Sequence, residues 1–199
     1  MTQQPDGRWA VVLGGGRSSR MGTDKLDLAV GGRSLLRRTC DAALRWAQAV
    51  IVASPPRGGL DDPRVTFVLE DPPLGGPVAG IAAAVAALPV GAAEVLLLAG
   101  DLAEPDAVVA ALATAEPGPD GVVLEDAEGW PQLLAGRYRA AALRLAVDRA
   151  PALRDVSVRR LLGGLECARV AAPTRVTADI DTPGQARLAG VDLRNYDGA

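Results

Sequence analysis

The chain has 199 residues, a formal net charge of −3 and no histidine. That length suits one domain with a sizeable core, and 21 Lys+Arg against 24 Asp+Glu argues against general nucleic-acid affinity. Without imidazole there is no Ser-His-Asp or Cys-His catalysis, and with only Cys40 and Cys167 there is neither a His-liganded nor a Cys₄ zinc site, so any metal should be a hard cation on oxygen ligands. Aromatics are 3% of the chain, so the core must be built from Ala, Val and Leu. The cysteines form no CxxC pair and read as reduced, buried thiols, which fits a cytoplasmic protein. Met1–Arg8 is polar and lacks a signal-peptide core, and no uncharged apolar run is long enough to span a membrane.

In chain order, Trp9–Leu13 is a short apolar run ending in three glycines and reads as a buried strand. Leu35–Gln48 has helical apolar spacing. Ala49–Ala53 and Val65–Leu69 read as strands. Pro77–Leu88 has proline at its start and Pro89 after its end, and reads as a helix. Val95–Ala99 is wholly apolar and should be a central strand. Asp106–Ala115 is expected to be a helix and Gly121–Leu124 a strand. Beyond these, Gln132–Ala135 and Cys167–Ala171 read as strands, and Ala140–Arg149, Val158–Leu162 and Pro183–Ala189 as helices. Gly/Pro-rich stretches at 55–63, 72–77 and 116–121 are loops. Apolar strands alternating with helices predict an α/β three-layer (α/β/α) domain with a mainly parallel central sheet. Residues 1–199 are expected to form a single domain, with a regular half to about 115 and a less regular half from about 116.

In such folds ligands bind at the carboxyl ends of the strands. The loop after Leu13, Asp71 and Asp101 all fall at predicted strand ends. The first loop carries Gly14, Gly15 and Gly16, then Arg17, Arg20 and Lys25. Consecutive glycines bring backbone N–H groups close to a ligand, and adjacent cations suit a polyphosphate. The loop is not a complete GxGxxG fingerprint, because Ser19 holds the third glycine position. It is not a P-loop either, because Gly22 is not followed by lysine.

Leu13-Gly-Gly-Gly16, Arg20-Met21-Gly22 and Asp24-Lys25 together resemble the LAGGxSxRMGxDK signature of the molybdenum cofactor guanylyltransferases, members of the wider GT-A-type nucleotidyltransferases with a Rossmann-like fold. Gly14 stands where that family usually has alanine. The resemblance continues in Gly76-Pro77-Val78-Ala79-Gly80-Ile81, in Pro131-Gln132-Leu133 with Tyr138-Arg139, and in Ser157–Leu162. Asp179-Ile180-Asp181-Thr182-Pro183 occupies the place of the family's NxNTP motif, with aspartates where the guanylyl enzymes have asparagines.

The resemblance implies transfer of GMP from GTP to the terminal phosphate of the molybdopterin-bound molybdenum cofactor, releasing pyrophosphate with Mg²⁺. It implies catalytic roles for Lys25, Asp101 and Arg20. It places the nucleotide against Leu13, Gly14, Gly15, Gly16, Arg17, Lys25, Asp71, Gly76, Gly80 and Asp101. Asp101 is the implied metal ligand, and the acidic pair offers Asp181 as a second. A lone aspartate at a strand end also suits a turn or helix cap. Asp71 could accept from guanine N1–H and its exocyclic amine, or serve only the Asp-Pro-Pro turn. Arg159, Arg160, Tyr138 and Asp179 are candidates for the acceptor, with an exposed helix face as the other reading of the arginines.

A phosphate monoester arrives already ionised, so the reaction needs no histidine base. Ala103 replaces the proline that follows the family's aspartate, which leaves the shape of that turn open. The acidic pair keeps open a CTP-using molybdopterin cytidylyltransferase or another small-phosphate transferase of this fold. The same changes leave room for a non-catalytic nucleotide-binding accessory protein. A molybdenum-insertion or molybdoenzyme-chaperone partner is a further possibility; a nucleic-acid or membrane partner is not expected.

Overall fold

The computed structural model describes residues 7–14, 25–70, 73, 75–172 and 176. Nine strands lie within these residues: β1 (Arg8–Leu13), β2 (Ala29–Val30), β3 (Arg33–Ser34), β4 (Ala49–Ala53), β5 (Val65–Val68), β6 (Glu94–Ala99), β7 (Gly121–Glu125), β8 (Pro131–Arg139) and β9 (Cys167–Ala171). Five α-helices accompany them: α1 (Leu35–Ala43), α2 (Pro77–Ala86), α3 (Pro105–Thr114), α4 (Ala140–Asp148) and α5 (Val158–Leu162). A 3₁₀ turn covers Lys25–Asp27. The expected helix at Pro183–Ala189 lies outside the described residues.

Seven strands form one sheet in the order β5-β4-β1-β6-β8-β7-β9. β8 alone runs against its neighbours, antiparallel to both β6 and β7, and the other pairs are parallel. The expected α/β fold with a mainly parallel sheet is therefore present, and the sheet draws strands from both halves of the chain. Side chains alternate along each strand. Ala10, Val12, Leu96 and Leu98 pack into the layer shared with α1 and α3. Val11, Leu13, Val95 and Leu97 pack into the opposite layer with α2 and α4. Strands β1 and β6, covered on both faces, are continuous apolar runs for this reason.

Local chemistry explains most element ends. Ser34 caps α1, its Oγ accepting from Arg37 N at 3.2 Å. That helix ends at Ala43 rather than at the expected Gln48. Leu44, Trp46 and Ala47 keep the apolar spacing and stay buried, but Arg45 N and Trp46 N turn to carbonyls three residues back. The chain then reaches Arg8 O through Gln48 N and enters β4. Proline opens α2 and α3.

Two features were absent from the sequence-based expectations. Gly31 and Gly32, at φ of 59° and 78°, close the β2–β3 hairpin in the two-residue turn that needs positive φ at both places. β8 has nine residues where a four-residue strand was expected, and it fills the centre of the sheet beside β6.

Candidate functional site at the carboxyl edge of the sheet

The parallel strands end at Leu13, Ala53, Val68 and Ala99, and the antiparallel β8 begins at the same edge with Pro131. This edge gathers most of the described candidate residues. Its centre is Gly100. Gly100 N donates to Leu13 O at 3.0 Å, and Thr39 Oγ1 from α1 donates to Gly100 O at 3.3 Å. A Cβ at Gly100 would sit 2.7 Å from Leu13 O and 3.2 Å from Leu26 Cδ2, so only glycine admits this approach. Asp101 follows directly and is 7% exposed.

The 3₁₀ turn is seated by the same contact. Leu26 is buried in the layer below α1 and meets Gly100, so the backbone of Lys25 is carried to the turn after β6. Leu26 and Gly100, the chain neighbours of Lys25 and Asp101, are thus brought to one corner. The turn after Asp101 does not use the family's proline. Arg38 Nη2 from α1 donates to Ala103 O at 3.2 Å, and Pro105 supplies the helix start two residues further on.

Gly14 begins the glycine-rich stretch and donates from its N to Ala53 O at 3.2 Å. A Cβ here would lie 3.0 Å from both Ser54 Oγ and Val52 Cγ1, so glycine in place of alanine makes room for Ser54. Gly76 caps the start of α2 at φ 89°, a conformation that favours glycine. Gly80 lies 3.4 Å, measured from an ideal Cβ, from Ala53 Cβ and lets α2 approach the ends of β1 and β4. Gly15, Gly16, Arg17, Arg20, Asp71, Asp179 and Asp181 lie outside the described residues.

The second half contributes a cleft beside Asp101. Pairing of β7 with β8 jumps from Val123–Gly136 to Leu124–Gln132, so Leu133–Ala135 bulges from the ladder. The bulge, with Ala99, Leu102, Pro131, Gln132 and Val158, encloses about 180 Å³. At the cleft's rim Arg159 stacks its guanidinium 5.1 Å from the centroid of Trp130, which is 54% exposed. Asp126 braces that turn by accepting from Glu128 N, Trp130 N and Gln132 Nε2.

The remaining acceptor candidates separate. Arg160 is exposed but faces a different crevice, of about 460 Å³, between α4 and α5 with Asp120 and Leu145. Tyr138 pairs with Val95 at the opposite end of β6, is 1% exposed, and donates its hydroxyl to Leu133 O at 2.8 Å. Burial pushes its phenol well above the usual range, and it serves as a core residue rather than an acceptor contact. Its neighbour Arg139 donates from Nε to Pro119 O, also away from the cleft.

Arg57 and Trp130 carry no sign of a role in the sequence. Arg57 sits in a Pro-Pro-Arg-Gly-Gly turn that reads only as a loop, and Trp130 is a single aromatic between polar residues. Among the described residues no three His, Cys, Asp or Glu side chains gather as a metal cage, and no helix is long and apolar enough to cross a membrane.

Residues 10–171 match the family model described as MobA-like NTP transferase domain. Over 96 residues the chain is 40% identical to a probable molybdenum cofactor guanylyltransferase of Trichormus variabilis (strain ATCC 29413 / PCC 7937), which is 47% of this chain and 45% of that relative, so the match spans under half the relative's length. Among solved structures, a homologue of Mycobacterium tuberculosis Rv0371c from Mycobacterium sp. strain JC1 superposes with a TM-score of 0.65 at 26% identity, over 92% of this chain and 94% of that one. Two others share the fold. The Archaeoglobus fulgidus molybdopterin-guanine dinucleotide biosynthesis protein A has a TM-score of 0.60 at 18% identity, over 92% of this chain and 96% of that one. The Thermus thermophilus 2-C-methyl-D-erythritol 4-phosphate cytidylyltransferase has a TM-score of 0.59 at 22% identity, over 90% and 96%.

Proposed function

Because the chain belongs to the MobA-like NTP transferase domain family and is a nucleotidyltransferase, we propose that it transfers GMP from GTP to the terminal phosphate of the molybdopterin-bound molybdenum cofactor, releasing pyrophosphate. The observation that carries this reading is the corner at Gly100, where Leu26 of the Lys25–Asp27 turn packs beside the residue that precedes the buried Asp101, at the carboxyl edge of the sheet. A cation-bearing segment beside a carboxylate at that edge fits a nucleoside triphosphate.

The chemistry asks little of proton transfer. The acceptor phosphate is anionic near neutral pH and attacks the α-phosphorus, the bond to the β-phosphate oxygen breaks, and pyrophosphate leaves. The protein holds two anions together and offsets their repulsion, which is positioning and electrostatics rather than acid–base work. Lys25, Arg20 and Arg17 are assigned to the triphosphate. A single protein carboxylate with substrate phosphates is an ordinary donor set for Mg²⁺, so Asp101 fits this ion, with Asp181 as the proposed second ligand. Bound there, Mg²⁺ would neutralise phosphate charge. The cleft at Leu133–Ala135, rimmed by Arg159, is assigned to the acceptor, and the guanine to Asp71. A cytoplasmic location goes with this reading and with the two free thiols.

The test is pyrophosphate release by the purified chain with Mg²⁺, molybdenum cofactor and each of GTP, CTP, ATP and UTP. Turnover with GTP alone is expected. Turnover with CTP instead would overturn the guanylyl assignment, in keeping with the aspartates at 179 and 181. No turnover with any nucleotide would favour an accessory role.

A further inference from the structure

We infer that Arg57 is a positioning residue that sets the orientation of the Lys25–Asp27 turn at the mouth of the site; the inference rests on the reading of Lys25 given above. Arg57 leaves the end of β4 in a Pro-Pro-Arg-Gly-Gly turn that Ser54 Oγ braces by donating to Pro55 O at 2.9 Å. Two of its guanidinium nitrogens reach described partners on two different segments. Nη2 donates to Gly14 O at 3.2 Å, and Nη1 donates to Asp27 Oδ1 at 3.1 Å. The Arg57 side chain is only 17% exposed, although Asp27 is 58% exposed. A cation this covered, joined to a backbone carbonyl and a carboxylate at once, is a built contact rather than a passing surface ion pair.

The partners explain what the contact does. Gly14 directly follows β1, and Asp27 closes the 3₁₀ turn that starts at Lys25. Leu26 already fixes how deep that turn sits, by packing into the core against Gly100. Leu28, buried just after the turn and accepting from Leu35 N at 3.0 Å, fixes where the turn leads. The Asp27–Arg57 bond adds a lateral tie that references the turn to Gly14 and the end of β4. Lys25 precedes Leu26, so the place of its backbone follows from these contacts. Lysine at 57 keeps the charge but has one terminal nitrogen and cannot reproduce the fork.

The experiment is a double-mutant cycle on the full chain between Arg57→Lys and Lys25→Ala, with Asp27→Asn as a second probe of the same bond. KM and kcat are measured by pyrophosphate release, MgGTP and MgCTP affinities by titration calorimetry, and Tm in parallel. Arg57→Lys is expected to raise the nucleotide KM and Kd by about 10-fold, within the cost of a small misplacement of a charged group, with a smaller change in kcat. Its Tm should fall by no more than about 4 °C. Asp27→Asn should move KM in the same direction by less. In the Lys25→Ala background, Arg57→Lys should cause no further loss. An equal loss in both backgrounds would overturn the inference, as would a loss of activity that only tracks the unfolded fraction with KM unchanged. If Lys25→Ala alone leaves nucleotide affinity intact, the assignment of Lys25 is what fails.

Discussion

Asp101 and Lys25 reach the same corner by different physical routes. Asp101 is placed by its strand, since a wholly apolar run must be central and the residue after it must emerge at the sheet edge. Lys25 is placed by its neighbour Leu26, whose burial beside Gly100 carries the turn inward. Lys25→Ala and Asp101→Ala are each expected to lower kcat/KM by about 100-fold or more, the scale of losing a preorganised electrostatic contact, with circular dichroism unchanged. A loss below about 3-fold in steady-state kinetics would remove that residue from the reaction. The motif carrying Lys25 was legible in the sequence. Arg57 was not, because an arginine in a loop gives no sign of partners at Gly14 and Asp27 until the chain is folded.

Among elements, β8 is where the sequence pattern and the fold diverge. Only Gln132–Ala135 reads as a strand, because Gly136 interrupts the apolar run and Arg137 is a charged residue in a buried place. Arg137 is accommodated by Glu94 at 2.7 Å and Ala115 O at 2.6 Å. Tyr138 secures the bulge from within through Leu133 O. Tyr138→Phe should therefore cost about 1 kcal/mol in urea unfolding, the net value of a buried hydrogen bond, and leave the KM for acceptor unchanged. A raised acceptor KM at unchanged stability would return Tyr138 to the substrate. Gly100→Ala tests the neighbouring strand. Its Cβ would press on a backbone oxygen, so a loss of about 2 kcal/mol in denaturant unfolding is expected, together with reduced turnover because Asp101 is the next residue. Wild-type stability in that variant would mean the two strand ends yield easily.

For the whole molecule, the two cysteines report on packing. Cys40 is fully buried in the layer of α1, and burial, helped by the charge of Asp41, pushes its thiol up to about 12. Cys167 is half-buried and is pushed up to about 11 by burial and then by Asp120. A raised folded-state value stabilises the protein below the ordinary thiol value of 9.0, and this contribution is lost as pH rises from there toward about 12. Urea midpoints should fall across that window, and Cys40→Ala should flatten part of the fall. Alkylation near neutral pH should modify Cys167 faster than Cys40 in the folded protein and both together once unfolded. Equal rates in the folded protein would contradict the buried place of Cys40.

The sequence by itself determined the strand–helix alternation, the mainly parallel sheet, the basic glycine-rich segment and the absence of histidine-based chemistry. These follow from periodicity, residue type and composition, which are local. Only the tertiary structure decided that Arg159 stacks on Trp130 while Arg160 lines the crevice between α4 and α5, that Tyr138 belongs to the core, and that Arg57 joins Gly14 to Asp27. Those outcomes depend on which strand lies beside which and on where a bulge or a buried leucine turns the chain. Such contacts join residues far apart in sequence, and they exist only once the layers have packed.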